Sequence, residues 1–312
     1  MASELYINDA YPFLSLQMNS FLRRIKNEQF EPAPASQPFL YQKPRLLCQS
    51  VAESYPTFWT DKKAFSQDWR KQISQVVSRL GLHIRTIENA DTPAIIQFLN
   101  ERYPPELANE ICAFDLYRFK KFGHGVILED EEGKVMGNVF EVGYHTSEMT
   151  SYTIRLAVDE AYKGNDLGHH IMVYSSLLAM ESGSRVKRGL IQYENLVSLH
   201  VNLNKVGWIC SGYEPSISGL GAFFEIVLPL DPRGLTSNIV DLEMVPGYLE
   251  QKTEGVDYRL IRVDKQKQIQ ELYQHTEFKV AALIKANILD EHTYFLALSP
   301  EELSLQNWIN DY

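Results

Sequence analysis

Apolar side chains in the first 80 positions recur at helical spacing. Residues 13–25 carry them every three or four positions, and residues 62–80 repeat this pattern up to Gly81, which suits a helix C-cap. Between the two, residues 31–44 contain four prolines, which favour an extended connection. We therefore expect residues 1–81 to form a helical N-terminal extension.

From residue 82 onward the pattern changes to short strand-like segments that are interrupted by helical ones. The strand-like segments lie at residues 83–87, 125–129, 134–144, 151–158, 188–193 and 223–228, and a further one follows Gly207-Trp208. The helical segments lie at residues 94–103, 106–122, 168–182 and 195–206. The order β-α-α-β-β-β-α-β-α-β-β predicts an α/β (α+β) domain over residues 82–230, with a mixed sheet and helices on both faces.

Residues 231–312 begin with a turn-rich connection and continue with weaker signals. We predict a strand at residues 258–263, a helix at 266–275 and a further helical stretch at 278–288. The first two elements could also open a truncated second copy of the preceding domain. We assign this small C-terminal extension no activity of its own. Together with the N-terminal extension, it could line an acceptor pocket or form a homodimer surface.

Composition narrows the class of protein. The formal net charge of −10 disfavours non-specific binding to nucleic acid. The three cysteines are far apart and match no metal-ligand spacing, so we predict no metal site. No apolar run is long enough to span a membrane, and the acidic N-terminus is unlike a signal peptide. We therefore expect a cytoplasmic protein without membrane or nucleic-acid partners.

Two stretches carry candidate chemistry. In the first, a strand ending at Val158 leads through a loop with Gly164 and Gly168 into a helix. Such a loop can direct backbone N–H groups and the helix dipole at an anion, although an ordinary strand-to-helix turn has the same pattern. The second stretch begins at Asn195 and ends in Gly207-Trp208.

Together the two stretches resemble the GCN5-related N-acetyltransferase (GNAT) family. The family's loop reads (Arg/Gln)-x-x-Gly-x-(Gly/Ala), and its later helix opens with Asn and ends in Lys-x-Gly-aromatic. Asn195, Ser198, Lys205, Gly207 and Trp208 match the helix. The resemblance implies a mostly antiparallel GNAT-like sheet and acetyl-CoA as cosubstrate.

The resemblance also implies roles for individual residues. Backbone groups that bind the pantetheine arm would come from Leu156, Ala157 and Val158. The pyrophosphate would be bound by Lys163, Gly164, Asn165, Gly168 and His169. Asn195 and Ser198 would contact the pantetheine or the diphosphate.

The sequence departs from the family pattern in three places. Lys163 stands where the family prefers Arg or Gln, and Asp166 replaces the middle glycine of the loop, where a carboxylate would repel a pyrophosphate. The later helix has one residue more than usual between Asn195 and Gly207. Leu203 occupies the position where the family often has the tyrosine that protonates the departing thiolate.

In the GNAT reaction an amine attacks the thioester directly, which requires a base and an acid. Candidates for the base are Glu141 and Glu194, and candidates for the acid are Tyr152 and Tyr193. Each has a structural alternative: a solvated strand residue for Glu141, a helix N-terminus for Glu194 and a packed aromatic ring for Tyr193.

We therefore predict an acyl-CoA-dependent N-acetyltransferase that acts on a primary amine of a small molecule or peptide. The departures leave two alternatives, a CoA-binding regulatory module with weak catalysis and a transferase for longer acyl groups.

Overall fold

The computed structural model describes residues 61–102, 116–117, 121, 123–143, 150–162, 164–217, 221–230, 258–285 and 293–299. The predicted helix at 13–25, the proline-rich segment at 31–44 and Lys163 lie outside these residues. Of the predicted helix at 106–122, residues 116–117 and 121 are described, and all three are helical.

The helices agree closely with the sequence pattern. They are α1 (Lys62–Ser78), α2 (Thr92–Arg102), α3 (Leu167–Glu181), α4 (Leu196–Leu199), which continues as a π-helix (His200–Val206), and α5 (Gln266–His275). Asp61 caps α1, because its side chain accepts a hydrogen bond from the backbone N–H of Ala64 at 2.9 Å. Among the described residues, no helix is both long enough and apolar enough to cross a membrane.

In the described part of the chain, ten strands form two sheets. They are β1 (Leu82–Thr86), β2 (Gly123–Asp130), β3 (Val135–Val142), β4 (Thr150–Val158), β5 (Val186–Gln192), β6 (Ile209–Glu214), β7 (Phe223–Pro229), β8 (Tyr258–Arg262), β9 (Lys279–Lys285) and β10 (Thr293–Leu298). The larger sheet has seven strands in the order β1-β2-β3-β4-β5-β7-β6.

The β4–β5 pair of the larger sheet is parallel, and its other neighbouring pairs are antiparallel. The parallel pair follows from the chain path, because α3 carries the chain from the end of β4 back to the start of β5. The predicted mixed, mostly antiparallel sheet is therefore confirmed.

Helices cover both faces of this sheet, as predicted. Alternate residues of β2 point to opposite faces, so that Val126 and Leu128 pack with α1 and α3, whereas Ile127 packs with α2. Helix α3 is buried on nearly all sides because it lies between the sheet and α1. This packing fixes the position of its N-terminus relative to the end of β4.

The C-terminal segment forms a three-stranded antiparallel sheet in the order β8-β10-β9, with α5 between β8 and β9. The predicted strand and the helix at 266–275 are confirmed. The helix predicted at 278–288 is wrong, since Lys279–Lys285 is a strand. A short, continuous apolar run fits the spacing of a helix and of a strand equally well. In this chain the run is a strand, which pairs with β10.

The strand order also excludes a truncated second copy of the larger sheet. In the larger sheet the strand that follows α2 is β2, which pairs with β1. In the smaller sheet the strand that follows α5 is β9, which is separated from β8 by β10. The same order of elements along the chain therefore gives a different arrangement in space.

Specific hydrogen bonds join the smaller sheet to the larger one. The side chain of Asn204, on the π-helix, donates to the carbonyl of Leu283 at 2.7 Å and accepts from its N–H at 2.9 Å. Tyr193 donates to the carbonyl of Val263 at 2.7 Å. Because residues of both sheets also share one hydrophobic core, the C-terminal segment buttresses the π-helix and β6.

The Asn204→Ala variant tests the contact between the π-helix and the C-terminal segment. It leaves the buried N–H and carbonyl of Leu283 without their partner, which should lower the free energy of unfolding by about 2–4 kcal/mol. Urea unfolding of the full chain measures the loss. Val197→Ala is the matched control, because Val197 lies on the same helical segment and is 77% exposed. Equal stability of the two variants would contradict the stabilising role of this contact.

Candidate functional site

The parallel strands β4 and β5 pair at one end and separate at the other. Their ladder consists of Thr150 with Val186, Ser151 with Lys187, and Tyr152 with Arg188. Strand β4 continues to Val158 beside β3 but forms no further ladder with β5 in the described structure. Its side chains beyond Tyr152 are half-buried. The predicted pantetheine-binding residues Leu156, Ala157 and Val158 lie in this separated part.

A β-bulge bends β4 within the opening. The pairing with β3 shifts between Asn138 and Phe140, and Arg155 adopts a positive φ of 56°. The buried Asn138 donates to the carbonyl of Arg155 at 2.9 Å and so holds this unusual peptide. Bulges increase local twist and redirect a strand. The sequence pattern missed both residues, because a positive φ at arginine has no local signal.

The loop after β4 has the backbone that the glycine pattern predicts. Gly164 has φ of 87°, and Asp166, which precedes the first residue of α3, has φ of 56°. Aspartate is among the side chains that tolerate this left-handed region best, so it can stand where the family has glycine. Gly164 and Asn165 are exposed at the N-terminus of a 15-residue helix. This arrangement suits an anion.

Gly168 lies where three elements meet. A β-carbon at Gly168 would be 3.7 Å from Cγ1 of Val201, on the π-helix, and 4.0 Å from Cγ2 of Val158, at the end of β4. The loop, the separated strand and the later helix are thus in mutual contact. The two stretches that the sequence singled out therefore lie side by side.

The carboxylate of Asp166 forms an ion pair with the ammonium group of Lys205. Partial burial opposes ionisation, but the hydrogen bond and charge of Lys205 lower the pKa of Asp166 below its ordinary value. The negative charge expected to repel a pyrophosphate therefore has a cation beside it. Lys205 was recognised as part of the helix motif. Nothing in the sequence, however, predicted that it pairs with Asp166, which is 39 positions away.

The ring of His169 is not available to a phosphate. Burial, and then the neighbouring His170, lower the pKa of His169 to about 4, so the ring is neutral at pH 7. Any contribution of His169 to an anion site is therefore limited to its backbone. Asn165 is exposed, and its role at a phosphate remains a prediction.

The additional residue of the later helix is accommodated by the π-helix. A π-turn takes up one more residue than an α-turn, so both ends of the motif keep their expected conformations. Asn195 caps the start, where its Oδ1 accepts from the N–H of Ser198 at 3.0 Å. Gly207 ends it with φ of 89°. Asn195 thus has a structural role in the cap, and Ser198 lies half-buried beside it.

Glu141 is neither a solvated strand residue nor accessible to an acceptor. It is fully buried, and its Oε1 lies 2.6 Å from Nζ of the equally buried Lys187. The same oxygen accepts hydrogen bonds from Thr153 at 2.8 Å and Ser175 at 2.9 Å. A carboxylate enclosed in this way does not reach a substrate amine, so we do not retain Glu141 as the base.

The ion pair lies close to the point where β4 and β5 separate. Lys187 on β5 pairs with Ser151 and Glu141 on β3 pairs with Thr153, so the ion pair spans β4 across Tyr152, the last residue of the parallel pairing, on the face covered by α3. Lys187 also donates to Ser176 at 3.0 Å and lies 5.5 Å from the ring centroid of Trp208. Burial lowers the pKa of Lys187, whereas the charge of Glu141 opposes that shift.

Tyr193 and Tyr152 also lie in the interior. Tyr193 donates to Val263, and burial, followed by the charge of Tyr213, raises its pKa above the ordinary value. It packs in an aromatic cluster with Tyr213, Phe224 and Phe295 and joins the two sheets, so the acid assignment is not retained. Tyr152 is buried at the last parallel pairing.

Glu194 is exposed between the end of β5 and Asn195.

Comparisons with known proteins found structural likeness at low sequence identity. No family model and no curated protein matches the chain. A GNAT-family acetyltransferase from Streptococcus pneumoniae is 17% identical, with a TM-score of 0.42 over 48% of this chain and 99% of its own. A spermidine N-acetyltransferase chimera from Vibrio cholerae is 12% identical, with a TM-score of 0.41 over 48% and 96%.

A Salmonella typhimurium protein solved with its cofactor acetyl-CoA is 20% identical, with a TM-score of 0.41 over 48% of this chain and 94% of its own. Identities and TM-scores this low do not identify an acceptor. The fold is defined instead by the strand order and the separation of β4 from β5 in this chain.

The Lys187→Met variant should be strongly destabilised. It leaves the carboxylate of Glu141 buried without a counter-charge, which typically costs about 3–5 kcal/mol. The double variant Glu141→Gln/Lys187→Met removes both charges and should recover much of that loss. Urea unfolding at pH 7 compares the variants. A double variant that is less stable than Lys187→Met would contradict the coupling of the two charges.

Proposed function

We propose that residues 82–230 bind acetyl-CoA and transfer its acetyl group to a primary amine. The separation of β4 from β5, directly before a glycine loop at the N-terminus of α3, is the observation that supports this proposal most. The two features together provide an exposed strand segment for a polar chain and a positive helix end for phosphate groups.

The loop fits a pyrophosphate in both conformation and charge. Gly164 and Asp166 adopt left-handed backbone conformations, which are typical of loops whose N–H groups bind anions. Lys205 offsets the carboxylate of Asp166. The backbone N–H of Asn165 donates to the carbonyl of Tyr162 at 3.3 Å. We therefore propose that Gly164 and Gly168 contribute backbone N–H groups to the phosphates, with the exposed Asn165 between them and Lys163 as the neighbouring cation.

The opened part of β4 fits the pantetheine arm. An extended chain with two amide groups can add to a strand where the next strand has separated. We propose that Leu156, Ala157 and Val158 supply the backbone groups for this contact. The thioester would then lie near Tyr152, where β4 and β5 meet.

Direct attack by an amine requires that the ammonium form lose a proton first. Of the two proposed bases, Glu141 is sealed in the core, whereas Glu194 is exposed at the end of β5. We therefore propose that Glu194, six positions beyond the partner of Tyr152 on the chain, receives this proton through a chain of water molecules. The family's usual acid position holds the fully buried Leu203, so the thiolate leaves without a tyrosine at that position.

The first experiment is a titration of the full chain with acetyl-CoA, followed by a free-thiol assay with pooled small amines and peptides. Binding and amine-dependent thiol release would support the proposal, and Glu194→Gln should lower the rate of release without weakening acetyl-CoA binding. Tight binding without release would favour the alternative, a CoA-binding regulatory module. Absence of binding to any CoA ester would refute both.

The Gly164→Ala variant should bind acetyl-CoA at least about tenfold more weakly, because a side chain disfavours the left-handed conformation and turns the loop N–H groups away. Calorimetry measures the affinity. Gly183→Ala is a matched control: Gly183 has φ of 95°, follows the other end of α3 and, like Gly164, has no atom within 4 Å of its β-carbon position. A similar loss of affinity in both variants would contradict the loop assignment.

Replacing Asp166 with glycine should strengthen acetyl-CoA binding by about three- to tenfold, because the backbone keeps its conformation while the carboxylate is removed and Lys205 is released. Lys205→Met should have the opposite effect, since it leaves the carboxylate unbalanced. Both differences should shrink at high salt. If Asp166→Gly instead bound acetyl-CoA more weakly than the wild type, the proposed charge balance would be wrong.

A further inference from the structure

Asn202, on the π-helix, carries a buried acceptor atom without a partner. The residue is 2% exposed, and its Nδ2 donates to the carbonyl of Ser198 at 2.9 Å. A carbonyl oxygen only accepts, so this contact identifies the amide nitrogen and fixes the opposite atom as Oδ1. Oδ1 forms no hydrogen bond with any described residue. Buried polar atoms are nearly always paired, so this one calls for a partner outside the chain.

The helix geometry directs Asn202 toward the proposed acyl-CoA site. Val201 approaches Gly168 and Lys205 pairs with Asp166, so the side of the helix that they share faces the loop before α3. Leu199 and Leu203 are fully buried on the side that faces the core. Asn202 projects between these two sides.

On the opposite side of the π-helix, the side chain of Asn204 is already hydrogen-bonded to the backbone of Leu283. The carboxamide of Asn202 therefore faces the region where α3, the π-helix and the separated strands meet.

The π-helix determines which residue occupies this place. The family's tyrosine lies four positions before the glycine that ends the motif. Counted back from Gly207, this position is Leu203, which is fully buried in the core. Counted forward from Asn195, the same position falls on Asn202. The additional residue thus rotates Leu203 inward and leaves Asn202 in the direction of the site.

We propose that Oδ1 of Asn202 accepts a hydrogen bond from an amide N–H of the pantetheine arm. The inference rests on the proposed acyl-CoA site and assigns a positioning residue within it. Pantetheine has two amide N–H groups that lose water on binding, and a buried, unpaired carbonyl oxygen is a suitable partner for one of them. A carboxamide has no titratable proton, so Asn202 orients the arm and does not protonate the thiolate.

The test compares two ligands, acetyl-CoA and adenosine 3′,5′-diphosphate, by calorimetry with the full chain. The second ligand carries the adenosine, the 3′-phosphate and the first of the two 5′-phosphates, but no pantetheine. Asn202→Ala should weaken acetyl-CoA binding about tenfold, the loss expected for one buried hydrogen bond, and leave binding of the diphosphate unchanged. Unchanged diphosphate binding also shows that the variant is folded. His200→Ala, at an exposed position on the opposite side of the same helix, should change neither affinity.

Equal affinity of Asn202→Ala and the wild type for acetyl-CoA would overturn the inference while leaving the proposed function intact. Equal loss for both ligands would also overturn it, because it would indicate a structural role. Failure of the unaltered protein to bind either ligand would instead refute the proposed function, and the inference with it.

Discussion

The separation of β4 from β5 is the constraint on which the rest of the site depends. The two strands are fastened at one end, where Glu141 and Lys187 bridge β4 in the core. Beyond Tyr152 they part, and the bulge held by Asn138 at Arg155 bends β4 within the opening. A buried ion pair is costly to desolvate and gains little net stability. Here it joins β3 to β5 across β4 at the closed end of the opening.

The helix that follows β5 is held from two sides. Lys205 binds Asp166 on the loop before α3, and Asn204 binds the backbone of Leu283 on β9. The C-terminal segment therefore has a definite physical role, because it buttresses the helix that lies against the loop. The π-turn between these contacts lets one additional residue fit without moving Asn195 or Gly207. An insertion that looked like a departure from the family pattern thus becomes part of the site.

The sequence predicted the elements of the site better than their contacts. Strong periodicity and the glycines placed β4, the loop and α3 within two residues of where the structure has them. The sequence could not show that Lys279–Lys285 forms a strand and not a helix, because a short apolar run fits either period. Glu141 looked solvated because its partner, Lys187, is 46 positions away in sequence. Pairings at such distances are decided by the tertiary fold and leave no local signal.

Hydrogen exchange of the full chain, with and without saturating acetyl-CoA, tests the central claim most directly. If acyl-CoA lies in the opening, backbone amides at residues 153–158 and 164–170 should gain protection on binding, whereas those of β8 to β10 should change little. Binding that leaves both of those segments unprotected would contradict the account, because the ligand would then occupy some other part of the protein.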